Sequence, residues 1–506
     1  MKDVYSFAQL VVAWLGERAD DSDRGMQFIA TLLEEIKGCN LHELDPAHKR
    51  SFMNQFPSFE DEDSPDWVAL RNLLERPWFS RLWVIQEMVL SAETILACGN
   101  ETARWDELTI VLEILLTRGL SEYLCIVPVG SGTVNLPRGL GGLSVMNYIS
   151  ACRTAGQALP LQRLVLYGRS FDATNPRDLI FGLLGVAPEV DDGTMQPDYQ
   201  QSTQEIFLRW TRFLMTRDGK ATLLHGAGLG QTRFLKNIPS WVPDLTVRSE
   251  TVDPHVTIFG QDAESVGFTA AGASKFILRS HKSNSCITLQ GIIIDKIANS
   301  ARPRPLVTYH KDIKVQRPDR LQKQSWLDET LSLATALSPY LTAECIQDVY
   351  WRTLIANMFS DFTSPPLGFF DSFATYLEHE RLYLFCENQE EVNKEFSKKM
   401  TADDVVKYRL FEESLVRVGR ERVLFATTNG YAGLGPHGLK KGDRICLILG
   451  AATPFIIREK ELAEETGNED MADGDGIFVL VGECYIHGLM GGEGMTMGEV
   501  QDIVLC

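Results

Sequence analysis

The sequence lacks the short motifs that identify most metal and nucleotide sites. Its ten cysteines are spaced singly, without a C-x-x-C pair, which excludes a zinc ribbon or a dithiol redox motif. No Walker A, G-x-S-x-G or H-E-x-x-H sequence occurs, and none of the nine histidines has metal-ligand spacing from another histidine or a cysteine. We therefore expect no metal and no bound cofactor. Most cysteines lie in apolar surroundings, which predicts buried, reduced thiols.

Long apolar runs and positive charge are also scarce. No run reaches the roughly 18 apolar residues that a membrane-spanning helix needs. The N-terminus carries Asp3 and no basic-then-apolar secretion signal. The net charge of −19 repels phosphate, which excludes nucleic acid and anionic membrane as the main partner. These features predict a cytoplasmic protein without a membrane span.

The most informative segment present is RPWFSRLWVIQEMVLSAETILACG, from Arg76 to Gly99. Its first part has the spacing of one helix with a single buried stripe, and its end is typical of a short apolar strand. The stripe consists of Trp78, Leu82, Ile85 and Val89.

Glu87 is the candidate catalytic residue of this segment. It follows Trp83 by one helical turn, so we expect the indole to lie against the carboxylate. Loss of hydration there raises a carboxyl pKa, as suits a general acid or base. The alternative is a glutamate that pairs with Arg76 or Arg81 and only positions the helix. We expect Trp14, Trp78, Trp83 and Trp241 to be core anchors.

The segment resembles the late signature of the fungal heterokaryon-incompatibility (HET) domain, roughly R-P-W-F-x-R-x-W-V-x-Q-E … A … C-G. The matching residues are Arg76, Pro77, Trp78, Phe79, Arg81, Trp83, Val84, Gln86, Glu87, Ala92, Cys98 and Gly99. The opening MKDVYSFAQLVVAWLG, NPRDLIFGLLG at 175–185, PDY at 197–199 and PSWVPD at 239–244 also resemble segments of this family. The resemblance therefore covers nearly the whole chain, apart from a middle insert.

The resemblance implies a role in fungal nonself recognition, in which the domain triggers or regulates cell death through protein–protein contacts. It also implies self-association through the α/β part, as in related domains. HET domains normally start about a hundred residues earlier, so we expect an incomplete TIR-like α/β domain. Two alternatives stay open. One is a NAD-glycohydrolase-like enzyme with NAD as substrate, Glu87 as catalytic residue and Trp83 stacked on a ring of NAD. The other is an inactive truncated remnant.

The fold class that we predict is mixed α+β in three parts. Residues 1–110 are the C-terminal part of a HET domain, and residues 111–250 are mainly helical with a glycine-rich break at 130–142. Residues 251–506 alternate with strand periodicity and predict an antiparallel β barrel with a helical insert at about 310–418.

Four local features of the sequence carry further predictions. Asp66 is the expected N-cap of a helix that starts near Trp67. Asn429-Gly430 predicts a hairpin turn, and the acidic stretch 459–476 predicts a mobile loop. The G-x-G-x-x-G sequence at 433–438 joins two strands and predicts a turn, not a dinucleotide loop.

Overall fold

A computed structural model of the chain describes residues 2–37, 53, 55–117, 120–124, 137–188, 196–248, 267–305, 308–310, 313–316, 320–359, 363–385, 394–395, 398–419, 421–460 and 476–506. Most of the acidic stretch 459–476 lies outside these residues. The chain forms two compact units. Unit 1 comprises 1–198, 248–254 and 306–317, and unit 2 comprises 199–247, 255–305 and 318–506. The predicted boundaries near 110 and 250 stay a prediction.

Helices and strands alternate at the start of the chain, and strands dominate its end. The helices are α1 Lys2–Ser6, α2 Ser22–Ile36, α3 Pro65–Leu74, α4 Val84–Leu90, α5 Trp105–Thr117, α6 Arg138–Thr154, α7 Leu161–Gly168, α8 Asp178–Phe181, α9 Thr203–Asp218, α10 Arg320–Thr335, α11 Ile346–Leu354, α12 Phe370–Phe385 and α13 Ala402–Gly419. The strands are β1 Val11–Gly16, β2 Thr94–Cys98, β3 Glu101–Arg104, β4 Leu278–Ser280, β5 Ile287–Ser300, β6 Thr308–His310, β7 Ile313–Gln316, β8 Arg422–Thr427, β9 Ala432–Pro436, β10 Arg444–Ile448, β11 Phe455–Glu459, β12 Ile477–Glu483, β13 Tyr485–Ile486 and β14 Gln501–Leu505.

Unit 1 contains a small sheet in the order β1-β2-β3, with β1 parallel to β2 and β2 antiparallel to β3. Val11, Ala13 and Leu15 alternate with exposed neighbours along β1 and are buried. Helices α2 and α5 contact β2 and β3. The short apolar strand predicted at the end of the signature segment is confirmed as β2, and burial along β1 alternates with period two.

The spacing predicted one helix for the first part of the signature segment, and this prediction is wrong. A 3₁₀ turn at Pro77–Ser80 precedes α4, and Arg81 between them has an extended backbone. The break has a physical cause, because the backbone of Asp172 pairs with the backbone of this segment. The Leu82 N–H donates to the Asp172 carbonyl at 3.0 Å, and the Asp172 N–H donates to the Ser80 carbonyl. The four stripe residues are nevertheless all buried.

Two further local predictions for unit 1 are wrong. Ser64, not Asp66, is the N-cap of α3, because its hydroxyl accepts from the Trp67 N–H at 3.5 Å and Pro65 occupies the first helical turn. The described end of the predicted glycine-rich break, 138–142, is the start of α6. Its glycines permit a close helix approach, which overrides their low helix propensity.

Unit 2 contains a closed ring of strands in the order β10-β11-β12-β14-β5, and β5 pairs again with β10. The long β5 also pairs with β8, which forms a hairpin with β9. Gly430 in this hairpin has φ +92°, and the predicted turn is confirmed. The β12–β14 pairing is parallel, so the expectation of a wholly antiparallel barrel is wrong at that position. The glycines of G-x-G-x-x-G lie in β9 and the turn after it.

Between β5 and β8 the described chain contains β6 and β7, followed by a helical region, α10 to α13. Its core is aromatic, and Trp351, Phe373, Tyr376 and Phe411 are among its buried members. Among the described residues, no helix is both long enough and apolar enough to cross a membrane.

One cysteine pair departs from the expectation of reduced thiols. Cys286 and Cys506 form a disulfide because β5 and β14 place them side by side. The other described cysteines are free, and Cys39, Cys125 and Cys386 lie outside the described residues.

Candidate functional site

Trp83 is the N-cap residue of α4 and Glu87 lies on that helix, but their side chains have different partners. The Trp83 indole Nε1 donates to Oδ2 of Asp178 at 3.2 Å. The Glu87 side chain is half-buried and hydrogen-bonds with Tyr5 of α1. Burial, and then the nearby Glu87 carboxylate, raise the pKa of the Tyr5 phenol. The tyrosine therefore stays a neutral donor that orients the carboxylate.

Arg76, proposed above as a structural partner of Glu87, has other contacts. Its guanidinium donates to the carbonyls of Glu17 and Ala19 at 3.1 and 3.0 Å. It therefore ties the signature segment to the loop that follows β1. Arg81 lies close enough to Tyr5 to oppose the rise of the phenol pKa.

The signature segment interlocks with the NPRDLIFGLLG segment. Gln86 Nε2 donates to the Gly182 carbonyl at 2.7 Å. A Cβ placed on Gly185 would lie 2.7 Å from Gln86 Oε1, and one on Gly182 would lie 2.9 Å from a methyl group of Leu82. These two glycines therefore make room for signature side chains. The two motifs form one packed unit around α4 and α8.

The outer face of the unit 1 sheet is apolar and open. Val12 and Trp14 are 59% and 49% exposed, and in the parallel register they lie beside Ile95 and Ala97 of β2. Among the described strands, β1 pairs only with β2, so its other edge is free. We call this surface, Val12, Trp14, Ile95 and the free β1 edge, the open sheet face. An exposed apolar face of a sheet is a candidate interaction surface.

The open sheet face corrects the prediction that Trp14 is a core anchor. Trp78 and Trp241 are buried as predicted, and Trp83 is half-buried. Trp14 points away from α2 and α5 because Val11, Ala13 and Leu15 occupy the helix-facing positions of β1. The sequence VVAWLG already indicated an apolar outer face, because successive residues of a strand lie on opposite faces and here the residues of both faces are apolar.

Unit 2 contains a buried polar cluster that no sequence pattern indicated in full. Arg422 Nη2 donates to Glu483 Oε1 at 2.8 Å, and His225 Nδ1 lies 2.9 Å from Glu483 Oε2. All three side chains are buried, and the Arg422 pKa is lowered by burial and partly restored by Glu483. Thr453 Oγ1 adds a contact with His225 at 3.3 Å. The cluster has the geometry of a structural ion pair.

His487 belongs to a second polar group in unit 2. Its ring nitrogens lie 2.9 Å from the Tyr485 hydroxyl and 2.9 Å from Glu344 Oε2. Burial lowers the His487 pKa, which favours the neutral imidazole between these two partners. Within the described parts of the chain, no three His, Cys, Asp or Glu side chains come together as a metal site requires.

Sequence comparison matches two parts of the chain to known family models. Residues 1–87 match the family model described as Heterokaryon incompatibility protein (HET), and residues 352–506 match the Het-6 beta-barrel domain. The resemblance to heterokaryon-incompatibility proteins that the sequence predicted is therefore confirmed for these two parts of the chain.

A curated relative supports the same assignment. The chain is similar to heterokaryon incompatibility protein 6, OR allele, of Neurospora crassa, with 25% identity over 577 aligned residues. The alignment covers all of this chain and 79% of that protein. No solved structure matches the chain.

Proposed function

We propose that the chain acts in fungal nonself recognition, through protein–protein contacts that trigger or regulate a cell-death response. The open sheet face is the observation that carries this proposal. The name of the Neurospora crassa relative supports the biological setting. The finer fold assignment, an incomplete TIR-like α/β domain, belongs to the same proposal and is supported by the parallel β1–β2 pair.

The proposed contact is self-association through the α/β part. The open sheet face offers both an apolar surface and a free strand edge, which are the two requirements for adding a strand from another molecule. A second copy presents the same edge, so two β1 strands can pair about a twofold axis. The contact places Val12 and Trp14 out of water, which gives it a hydrophobic driving force.

Replacing Trp14 with arginine tests this contact. We expect Trp14→Arg to abolish concentration-dependent self-association in sedimentation velocity, because a guanidinium cannot be buried without a partner. We also expect overexpression of the wild-type chain to arrest the growth of a fungal host, and overexpression of the Trp14→Arg variant not to. The matched control is Ile110→Arg on α5, which introduces the same charge at a residue that is 45% exposed.

The two arginine variants give opposite results if the proposal holds. The Ile110→Arg protein should associate and arrest growth like the wild type. A monomeric wild-type protein at all concentrations, or equal association of both variants, contradicts a contact through the open sheet face. Circular dichroism of each variant confirms that the loss is not a loss of folding.

A second candidate function is NAD cleavage with Glu87 as the catalytic residue and Trp83 beside the substrate. The half-buried Glu87 carboxylate with its Tyr5 donor favours this candidate, since a positioned carboxylate is the group that such a reaction needs. The candidate makes NAD a substrate and not a bound cofactor. The Trp83 indole is already held by Asp178, so its ring is fixed in place next to α4.

NAD consumption by the purified chain tests the second candidate. We expect turnover that Glu87→Ala abolishes and Tyr5→Phe reduces by roughly tenfold, the size expected when one orienting hydrogen bond is lost. Glu113→Ala, an exposed glutamate on α5, is the matched control and should keep full turnover. The enzyme candidate fails if the folded wild-type protein leaves NAD intact, or if Glu87→Ala consumes it at the wild-type rate.

A further inference from the structure

Two cysteines that are 220 residues apart in sequence meet at one end of the β5–β14 pairing. The antiparallel register sets Ile287 opposite Leu505. The next position outward is Cys286 beside Cys506, with their Cα atoms 4.2 Å apart and their sulfurs joined. The disulfide therefore lies directly beyond the last residue pair of the β5–β14 ladder.

Strand β14 closes the ring of unit 2. It pairs with β5 on one side and with β12 on the other, where only Val504 and Leu505 have ladder partners. The Cys506 N–H extends this side by donating to the Phe478 carbonyl at 2.9 Å. Because the β12 contact is so short, the disulfide is well placed to hold the strand in the ring.

The PSWVPD segment holds the backbone next to both cysteines. The Ser240 hydroxyl donates to the Cys506 carbonyl at 2.5 Å and accepts from the Leu480 N–H at 2.8 Å. The Trp241 indole donates to the Ser285 carbonyl at 2.9 Å. Two adjacent residues thus bind the backbone at both ends of the disulfide, Ser240 at Cys506 and Trp241 at the residue before Cys286. A change in this disulfide reaches the PSWVPD segment directly.

Other thiols of unit 2 are chemically protected. Cys446 and Cys484 are fully buried, and burial raises the pKa of Cys446 to about 12 and that of Cys484 well above its usual value. Such thiols stay protonated and unreactive. Cys286 and Cys506 retain some exposure, at 6% and 8%. This pair is therefore less completely enclosed than Cys446 and Cys484.

We propose that Cys286 and Cys506 form a redox modification site. A dithiol reductant reduces this disulfide, and its reduction frees β14 from the ring. One reductant thiolate attacks a sulfur of the pair, the S–S bond breaks, and the other cysteine leaves as a thiolate that takes up a proton. The second reductant thiol then resolves the mixed disulfide. The dithiol loses two electrons to form its own disulfide, and the two cysteines gain them.

Hydrogen exchange of the full chain tests the site. Purified protein is equilibrated with oxidised glutathione or with dithiothreitol, and alkylation with mass spectrometry reports the state of each cysteine. We expect reduction to accelerate amide exchange in 501–505 by roughly tenfold or more, while 444–448 keeps its protection. Cys345→Ser, which removes a thiol but not the disulfide, should respond like the wild type.

The double variant Cys286→Ser, Cys506→Ser should exchange rapidly at 501–505 with or without dithiothreitol. The proposal is overturned if alkylation finds both thiols free after equilibration with oxidised glutathione. It is also overturned if reduction of the pair leaves the protection of 501–505 unchanged. These two readouts use the wild-type protein, so they decide the question even if the double variant does not fold.

Discussion

Replacing Glu483 with glutamine is expected to lower the free energy of unfolding of unit 2 by about 3–5 kcal/mol, the cost of removing one partner from a buried ion pair. Glutamine keeps the shape of the side chain but removes its charge. Arg422 would then stay buried with its main counterion lost, because Glu483 is the group that offsets the desolvation of its guanidinium. The contact with His225 would weaken as well, since a carboxylate is a stronger acceptor than an amide.

The matched control for this change is Glu459→Gln on β11. Glu459 also pairs with an arginine, Arg444, but its side chain is 60% exposed, against 2% for Glu483. Exposed pairs contribute at most about 1 kcal/mol, so the control should unfold almost like the wild type. Urea unfolding followed by near-ultraviolet circular dichroism measures both variants. Equal midpoints for the two would contradict a stabilising role of the buried pair.

A second change with a large expected effect is Gly139→Ala in α6 of unit 1. A Cβ at this position would lie 2.2 Å from the Leu74 carbonyl oxygen and 2.6 Å from the Phe79 Cβ. Alanine gains about 1 kcal/mol of helix propensity. The clash is with backbone, so the helix has to move away from the signature turn. We expect a net loss of about 2–3 kcal/mol in the free energy of unfolding of unit 1.

The neighbouring Gly142 also lies too close to backbone atoms to accept a Cβ. Its Cβ would lie 2.3 Å from the Phe79 carbonyl oxygen, so the double variant Gly139→Ala, Gly142→Ala should not form the native unit 1. Ser144→Ala, a half-buried position of the same helix, is the control and should be close to neutral. Urea unfolding and hydrogen exchange of 77–90 measure the effect. A Gly139→Ala protein as stable as the wild type would show that α6 does not depend on this close approach.

Local sequence patterns predicted many of the secondary structure elements. Strand β1, strand β2, the β8–β9 hairpin and the helical insert follow from period and turn chemistry, which act over a few residues. Each prediction that was wrong has an identifiable physical cause. The signature helix is broken at Arg81 by the distant Asp172, and β14 was missed because five residues carry little periodicity.

The candidate site residues could also be chosen from the sequence, but their partners could not. Glu87 and Trp83 were chosen from their spacing, and their assignment to catalysis stays a prediction. Their actual partners, Tyr5 and Asp178, come from segments about 80 and 95 residues away. The Arg422–Glu483–His225 cluster joins three parts of the chain that are far apart in sequence. No spacing rule reaches across such distances.

The sequence by itself determined the resemblance to HET-domain proteins, the position of strands β1 and β2 and the apolar character of both faces of VVAWLG, because these depend on neighbouring residues. Only the tertiary structure decided which face of that strand is covered, which carboxylate neutralises Arg422 and which two of ten cysteines pair. Those outcomes depend on the register between strands and on how closely helices approach a sheet. Register and approach are set by packing across the whole unit, since shifting a strand by one residue reverses every side chain on it.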